Sequence, residues 1–431
     1  MKTGEKRRVI VAGGGTGGHL FPGIAVVEEL RRRFDVDLLW VGTERGIEAR
    51  VMPERGEKLE LLEVTPLKGR SPGELLKSVG RLPGAMARAA SIVRQHDAEL
   101  CLGVGGYASG PILAAAAAMG VPTAILEQNA HLGLTNRMLA PLVGRAYLSF
   151  EETAGRFGEK ARVVGNPVRR EFAEAAKRAS ADPEGFEARA RTILVMGGSQ
   201  GAKALNEIVP AALGELGLGA KGLKVVHQTG AAMRDAVAAR YAELGVEAEV
   251  VSFIDDMAKA YAAAAVVIAR AGATTLAELQ AIGRPAILVP YPYAADDHQA
   301  KNAAALERAG AAKMIRQEKL DAAWLVRELG ALLDDPAKRR AMGEAARRRG
   351  RPDAAASIVD DLCQWLGWRG RSVRPPAPAG GDAPESSSGG DEGTKRRALR
   401  GEVFYAPRLR AESARPSPRP LVFDGAAFAW S

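Results

Sequence analysis

Three stretches of this 431-residue sequence combine glycines with polar side chains in a way that suits a bound phosphate. They are GGGTGGHLFPG (Gly13–Gly23), GVGGYASGP (Gly103–Pro111) and GGSQGAKALNE (Gly197–Glu207), and each follows a short apolar run. Glycine lets the backbone approach a ligand closely. The helix expected after each loop aims its unpaired N–H groups and positive dipole end at an anion. One such loop is equally well a tight structural turn. Three, two in one expected domain and one in the other, point to a phosphate-bearing ligand in a shared cleft.

A second constellation supplies hydroxyl chemistry. RAGATTLAEL (Arg270–Leu279) reads as a strand end, a glycine turn and a helix carrying Glu278. Amides from Gly272 to Thr275 suit an anion or a sugar, and the Glu278 carboxylate can accept from two ribose hydroxyls. PYPYAADDHQAKNA (Pro290–Ala303) then places His298, Gln299 and Asn302 around a helix start. Gly13-x-Gly15-x-x-Gly18 also matches the dinucleotide fingerprint, but the next strand ends in Gly42-Thr43 without the ribose-binding acid. No phosphate-binding G-x-x-x-x-G-K-S/T motif occurs.

Short apolar runs alternating with longer amphipathic stretches position these loops, the pattern of an α/β fold with parallel sheets. Strands are expected at Arg8–Ala12, Asp37–Val41, Leu59–Val64, Leu100–Val104, Thr123–Leu126, Ala146–Ser149 and Ala161–Val164. A second series follows at Thr192–Met196, Lys224–His227, Glu249–Phe253, Val266–Ala269, Ala286–Val289 and Ala312–Ile315. Two series imply two doubly wound, Rossmann-like domains, 1–166 and 167–370, with a ligand cleft at the carboxyl ends of the strands. The last helix is a candidate to pack back on the first domain. Residues 371–431, rich in Pro, Gly and Ser, read as a disordered tail.

Composition is that of an ordinary globular protein, with 47% hydrophobic and 26% charged residues. Two cysteines build no disulfide framework, which fits a reducing cytoplasm. Of the net charge of +9, the tail holds +3. The segment Thr65–Arg94 concentrates Lys68, Arg70, Lys77, Arg81, Arg88 and Arg94 against Glu74 alone, a patch for an anionic partner. No transmembrane helix is expected, because the uncharged run Cys101–Leu126 is broken by glycines and prolines. Nucleic acid is an unfavoured partner, since no aromatic platform accompanies the charge.

The glycine loops, together with LEQNAHLGLTNRMLA, GNPVR, HQTG, FIDDMAKAYAAA and the two second-half motifs, occur in one order from Val9 to about Gly367. In this the sequence resembles the MurG family, bacterial transferases that pass N-acetylglucosamine from UDP-GlcNAc to the undecaprenyl-linked acceptor lipid I, giving lipid II in peptidoglycan synthesis. The resemblance implies a GT-B fold of two Rossmann domains and an inverting transfer without metal or other cofactor. It implies that backbone at Ile254 meets uracil, that Glu278 holds the ribose, and that Ser199 and Arg169 meet the diphosphate. Ala273, Thr274, Gln299 and Asn302 would surround the sugar, with Thr16, Gly17, Gly18 and Asn129 also reaching the donor. Gly14, Gly15, Gly105, Gly106 and Tyr107 would take the acceptor diphosphate.

Inverting transfer needs a base near the acceptor hydroxyl. His19 suits that role, or alternatively orients its loop or binds acceptor phosphate; Glu127 is a second candidate. The metal-like pair Asp35 and Asp37 opens a strand at the sheet edge away from the ligand and reads as a turn. Leu75, Leu76, Val79 and Leu82 recur at helical spacing beside Lys77 and Arg81, so an anionic membrane surface is an expected partner. Peripheral binding at the cytoplasmic face of the inner membrane follows, with a cell-wall synthesis complex as a further candidate partner. Alternatives are a UDP-sugar:diacylglycerol transferase, a nicotinamide-dependent oxidoreductase and a non-catalytic UDP-sugar-binding protein.

Overall fold

In the computed structural model the alternating runs form two all-parallel sheets. The structure describes residues 6–64, 72–198 and 201–369, except the side chains of 72–82 and of Ala295. All of these fall in one compact unit, Met1–Arg374; Pro375–Ser431, a second unit, lies outside the described residues. The expected tail therefore does too.

The first sheet comprises β1 (Lys6–Gly13), β2 (Asp35–Gly42), β3 (Leu59–Leu61), β4 (Leu100–Gly105), β5 (Thr123–Glu127), β6 (Arg145–Leu148) and β7 (Ala161–Val163). Their order is β3-β2-β1-β4-β5-β6-β7. The second comprises β8 (Thr192–Met196), β9 (Lys224–Gln228), β10 (Ala248–Val251), β11 (Ala264–Ala269), β12 (Ala286–Leu288) and β13 (Lys313–Met314), in the order β10-β9-β8-β11-β12-β13. The edge strands β3 and β13 are shorter than their apolar runs, because each has a partner on one side only.

The period of two along a strand divides each core between two helical layers. Val9 and Val11 of β1 pack with Leu20, Ile24 and Leu30. Ile10 and Ala12 point the other way, onto Ile112 and Leu113. In the second lobe Leu194 and Met196 face one layer, and Ile193 and Val195 the other.

Strand order reverses between β1 and β4 and again between β8 and β11. The loops that follow these four strands start with Gly14, Gly106, Gly197 and Arg270. A sheet of this kind binds ligands at that switch point, so topology brings the sequence motifs to the two facing cleft walls.

The last helix, Ala354–Leu366, joins the core of the first lobe, where Ile358, Val359 and Leu362 are fully buried. Trp368 meets Phe34 edge-on at 5.6 Å. Asp361 fixes the helix by accepting from Arg145 Nε at 3.0 Å, Tyr147 OH at 2.9 Å and Arg162 Nε at 2.9 Å.

Candidate functional site

The two glycine loops of the first lobe interlock. Gly14 N donates to Gly105 O at 3.0 Å, and a Cβ on Gly13 would lie 1.9 Å from that same carbonyl oxygen. With φ of +125°, Gly13 is a position that only glycine fills without strain. Gly106, at φ +86°, leaves room for the Gly14 carbonyl, and Tyr107 next to it is half exposed.

One expectation changes here. Gly14 and Gly15 were to offer amides to a diphosphate, but the Gly14 amide is spent on Gly105. The Gly15 amide donates to Glu48 Oε2 at 2.7 Å. These glycines shape the loop, and the amides directed outward are those of the first turn of helix Gly17–Arg33, at Gly17 and Gly18 behind Thr16.

His19 stands in that first turn. Its Nδ1 lies 3.1 Å from the Gly14 carbonyl oxygen. A carbonyl only accepts, so Nδ1 carries the hydrogen and Nε2 keeps its lone pair. Burial pushes the imidazole below its ordinary range; Glu127, the Gly14 carbonyl and Glu48 oppose that, and His298 of the other lobe adds to it. The ring is a neutral acceptor at pH 7.

Glu127, at the end of β5, is buried and fully engaged. Its Oε1 accepts from Asn129 N at 3.1 Å and Asn129 Nδ2 at 3.3 Å, and its Oε2 from Gly133 N at 3.0 Å and Asn136 Nδ2 at 2.9 Å. A carboxylate holding four donors organises a loop; accepting a further proton would mean releasing one of them.

That loop touches the second lobe. Asn302, fully buried in helix His298–Arg308, accepts from Ala130 N at 3.0 Å and donates to Asn129 Oδ1 at 3.2 Å. Gln299 turns its carbonyl oxygen to Ala271 N at 3.2 Å and Tyr291 N at 2.9 Å.

Arg169 and Glu278 pair with each other at 3.2 Å, and Arg169 also reaches Glu171 at 3.2 Å. Glu278 is buried, which pushes its carboxyl up to about 7 even with Arg169 beside it. Helix Ala273–Ile282 opens behind Gly272, so Ala273 sits at its amino end. The hydroxyl of Thr274 is buried and has no hydrogen-bond partner among the described residues. Ile254 is half-buried between β10 and helix Met257–Ala263, packed on the lobe's core. Ser199 lies outside the described residues, as do Lys68, Arg70 and the side chains of Leu75, Leu76, Lys77, Val79, Arg81 and Leu82.

Asp37 is neutralised by Lys6 at 3.2 Å and Lys58 at 3.1 Å. With Asp35 it opens β2, at the sheet edge away from the glycine loops. His227 is buried between Tyr241 OH at 2.9 Å and Asn206 Oδ1 at 3.1 Å, a structural histidine.

Residues 9–148 match the glycosyltransferase family 28 N-terminal domain, and residues 192–358 the family 28 C-terminal domain. A Sorangium cellulosum protein is 49% identical over 362 residues, covering 83% of this chain and 88% of its own length. A Myxococcus xanthus protein is 45% identical over 387 residues, covering 88% of this chain and all of its own. Both are named UDP-N-acetylglucosamine–N-acetylmuramyl-(pentapeptide) pyrophosphoryl-undecaprenol N-acetylglucosamine transferase. The crystal structure of Acinetobacter baumannii MurG superposes with a TM-score of 0.69 at 32% identity, over 83% of this chain and 99% of its own. The chain belongs to the MurG family of glycosyltransferases.

Within this MurG-family frame, sequence reasoning gave no role to two well-placed residues, Arg270 at the head of its motif and Glu48 outside every motif. Arg270, nearly buried, donates to Val289 O at 3.1 Å, Pro290 O at 3.2 Å and Gln317 Oε1 at 2.6 Å, fixing the loop that precedes Gln299. Glu48, only 1% exposed, holds the first glycine loop. Its one trace in the sequence is the pair of glycines around it, Gly42 and Gly46.

Proposed function

We propose that this chain transfers N-acetylglucosamine from UDP-GlcNAc to lipid I, giving lipid II, by an inverting, metal-independent reaction. What supports this reading is the 49% and 45% identity to proteins named for this transfer, together with His19, whose Nδ1 lies 3.1 Å from the Gly14 carbonyl oxygen and so leaves Nε2 as the acceptor. Residues 1–166 take the acceptor and 167–370 the donor.

Backbone at Ile254 meets uracil, and Glu278 the ribose hydroxyls. Arg169, Ser199 and the amides at Ala273 receive the diphosphate, while the Thr274 hydroxyl, the Gln299 amide and Asn302 with Asn129 hold the hexose. The acceptor diphosphate lies on the first-turn amides beside Gly105 and Gly106. As the acceptor oxygen attacks the anomeric carbon, its proton passes to His19 Nε2. The bond from that carbon to the phosphate oxygen breaks on the opposite face, inverting the centre. The charge that develops on UDP falls on a helix amino end and a guanidinium.

Radiolabelled UDP-GlcNAc with a lipid I analogue tests this. Label should move to the lipid equally with and without a chelator, and diacylglycerol should not replace lipid I. No transfer to either lipid would sink the reading.

We also place the chain peripherally on the cytoplasmic face of the inner membrane. The basic sequence of helix Pro72–Gln95 supports this, as do Leu134 and Met138, exposed one turn apart on helix Leu134–Leu139. No helix among the described residues is long and apolar enough to cross a membrane. Lys77→Glu with Arg81→Glu should weaken binding to anionic vesicles several-fold. Unchanged binding would remove that patch from the account.

A further inference from the structure

Glu48 is the first residue of helix Glu48–Glu54 and lies far from every sequence motif, yet its carboxylate sits inside the first glycine loop. Oε2 accepts from Gly15 N at 2.7 Å, and Oε1 accepts from Thr43 N at 2.8 Å and from Thr43 Oγ1 at 3.1 Å. Three glycines make room for it. A Cβ on Gly14 would lie 2.3 Å from Oε2, one on Gly42 2.2 Å from Cγ, and one on Gly46 2.1 Å from Oε1. A buried anion filling a cradle of missing side chains and taking three hydrogen bonds is costly to build unless each partner is in place.

The bond Glu48 makes bears on the catalytic wall. Gly15 N belongs to the peptide unit whose carbonyl is that of Gly14, and the Gly14 carbonyl fixes His19 Nδ1. Holding one side of that planar unit holds the other. We infer that Glu48 is a positioning residue for the transfer: its carboxylate clamps the Gly14–Gly15 peptide unit, and that unit sets the ring and tautomer of His19. This rests on His19 being the base.

The groups whose charge reaches His19 are Glu127 from the end of β5, His298 from helix His298–Arg308, and Glu48 itself. Glu48 and Glu127 hold the imidazole up; burial and His298 hold it down. Removing the Glu48 charge therefore lowers the His19 pKa further, and the acid limb of activity moves to lower pH.

The test is Glu48→Gln in the full chain, read as kcat, both KM values and the pH profile of kcat with both substrates saturating. An amide offers one acceptor oxygen and directs N–H groups at one of the present donors. The expected result is a fall in kcat of roughly tenfold to a hundredfold, the scale of a misplaced catalytic group. KM for UDP-GlcNAc should change less than twofold and the acid limb should shift down. Gly46→Ala is the second variant, because it drives a methyl into the carboxylate and keeps the charge. It should lower kcat similarly with a smaller pH shift, and it serves if Glu48→Gln does not fold.

A kcat within twofold of the parent in both variants overturns the inference. So does a loss of kcat in Glu48→Gln with an unmoved acid limb, which would make Glu48 a fold element only. His19→Gln serves as the control: if it keeps the parent's rate and acid limb, the base assignment fails, whatever Glu48→Gln does.

Discussion

His19→Gln should leave the chain folded and able to bind UDP-GlcNAc but lower kcat by about 10²–10⁴, the usual contribution of a positioned general base. Glutamine can keep a hydrogen bond to the Gly14 carbonyl while having no lone pair of useful basicity. The pH profile carries an independent check. Because burial holds the imidazole below its ordinary range, the neutral, active form persists below pH 6.5. With both substrates saturating, kcat should be full at neutral pH and lost as pH falls through the lowered pKa. An acid limb of kcat centred above 6.5, or a His19→Gln rate within threefold of the parent, would place proton transfer elsewhere.

Glu278→Ala should weaken UDP-GlcNAc binding by about 30-fold or more, because losing charge-assisted bonds to a hydroxyl pair costs about 2 kcal/mol. The variant also leaves the Arg169 guanidinium without the carboxylate it meets at 3.2 Å, so UMP and UDP-GlcNAc affinities should fall together. Titration calorimetry reads both. The raised carboxyl, at about 7, gives a sign: the ionised form that accepts from ribose is present above that value and lost below it. Donor affinity should therefore drop between pH 8 and pH 6 in the parent and be flat in Glu278→Gln. Donor binding unchanged in Glu278→Ala would mean the ribose lies away from helix Ala273–Ile282.

All thirteen strands among the described residues were visible in the sequence, because buried parallel strands are short runs of Val, Ile, Leu and Ala set off by glycine or polar residues. The glycine loops, Glu278, Gln299 and Asn302 were visible because a helix amino end after a strand is a local pattern. Relations between distant segments were not. Nothing near Glu48 tells that Gly14, Gly42 and Gly46 close around one carboxylate. Glu127 looked like a base because its type and position suit one; only folding shows that Asn129, Gly133 and Asn136 turn back to occupy both oxygens. Likewise Asn129 and Asn302, which sequence places in separate domains, bond to each other across the cleft. The amides of Gly14 and Gly15 go to Gly105 and Glu48, partners 33 or more residues away that no local pattern reveals.

The return of Ala354–Leu366 to the opposite lobe has a consequence for biosynthesis. β1 through β7 leave the ribosome first, yet Ile358, Val359, Leu362 and Trp368, which cover one layer of their core beside Leu30 and Phe34, emerge only after the whole second sheet. Until then that apolar layer faces water and whatever chaperone is at hand. The first lobe thus completes its core only after the second has been translated, and an incomplete chain cannot present a finished first lobe.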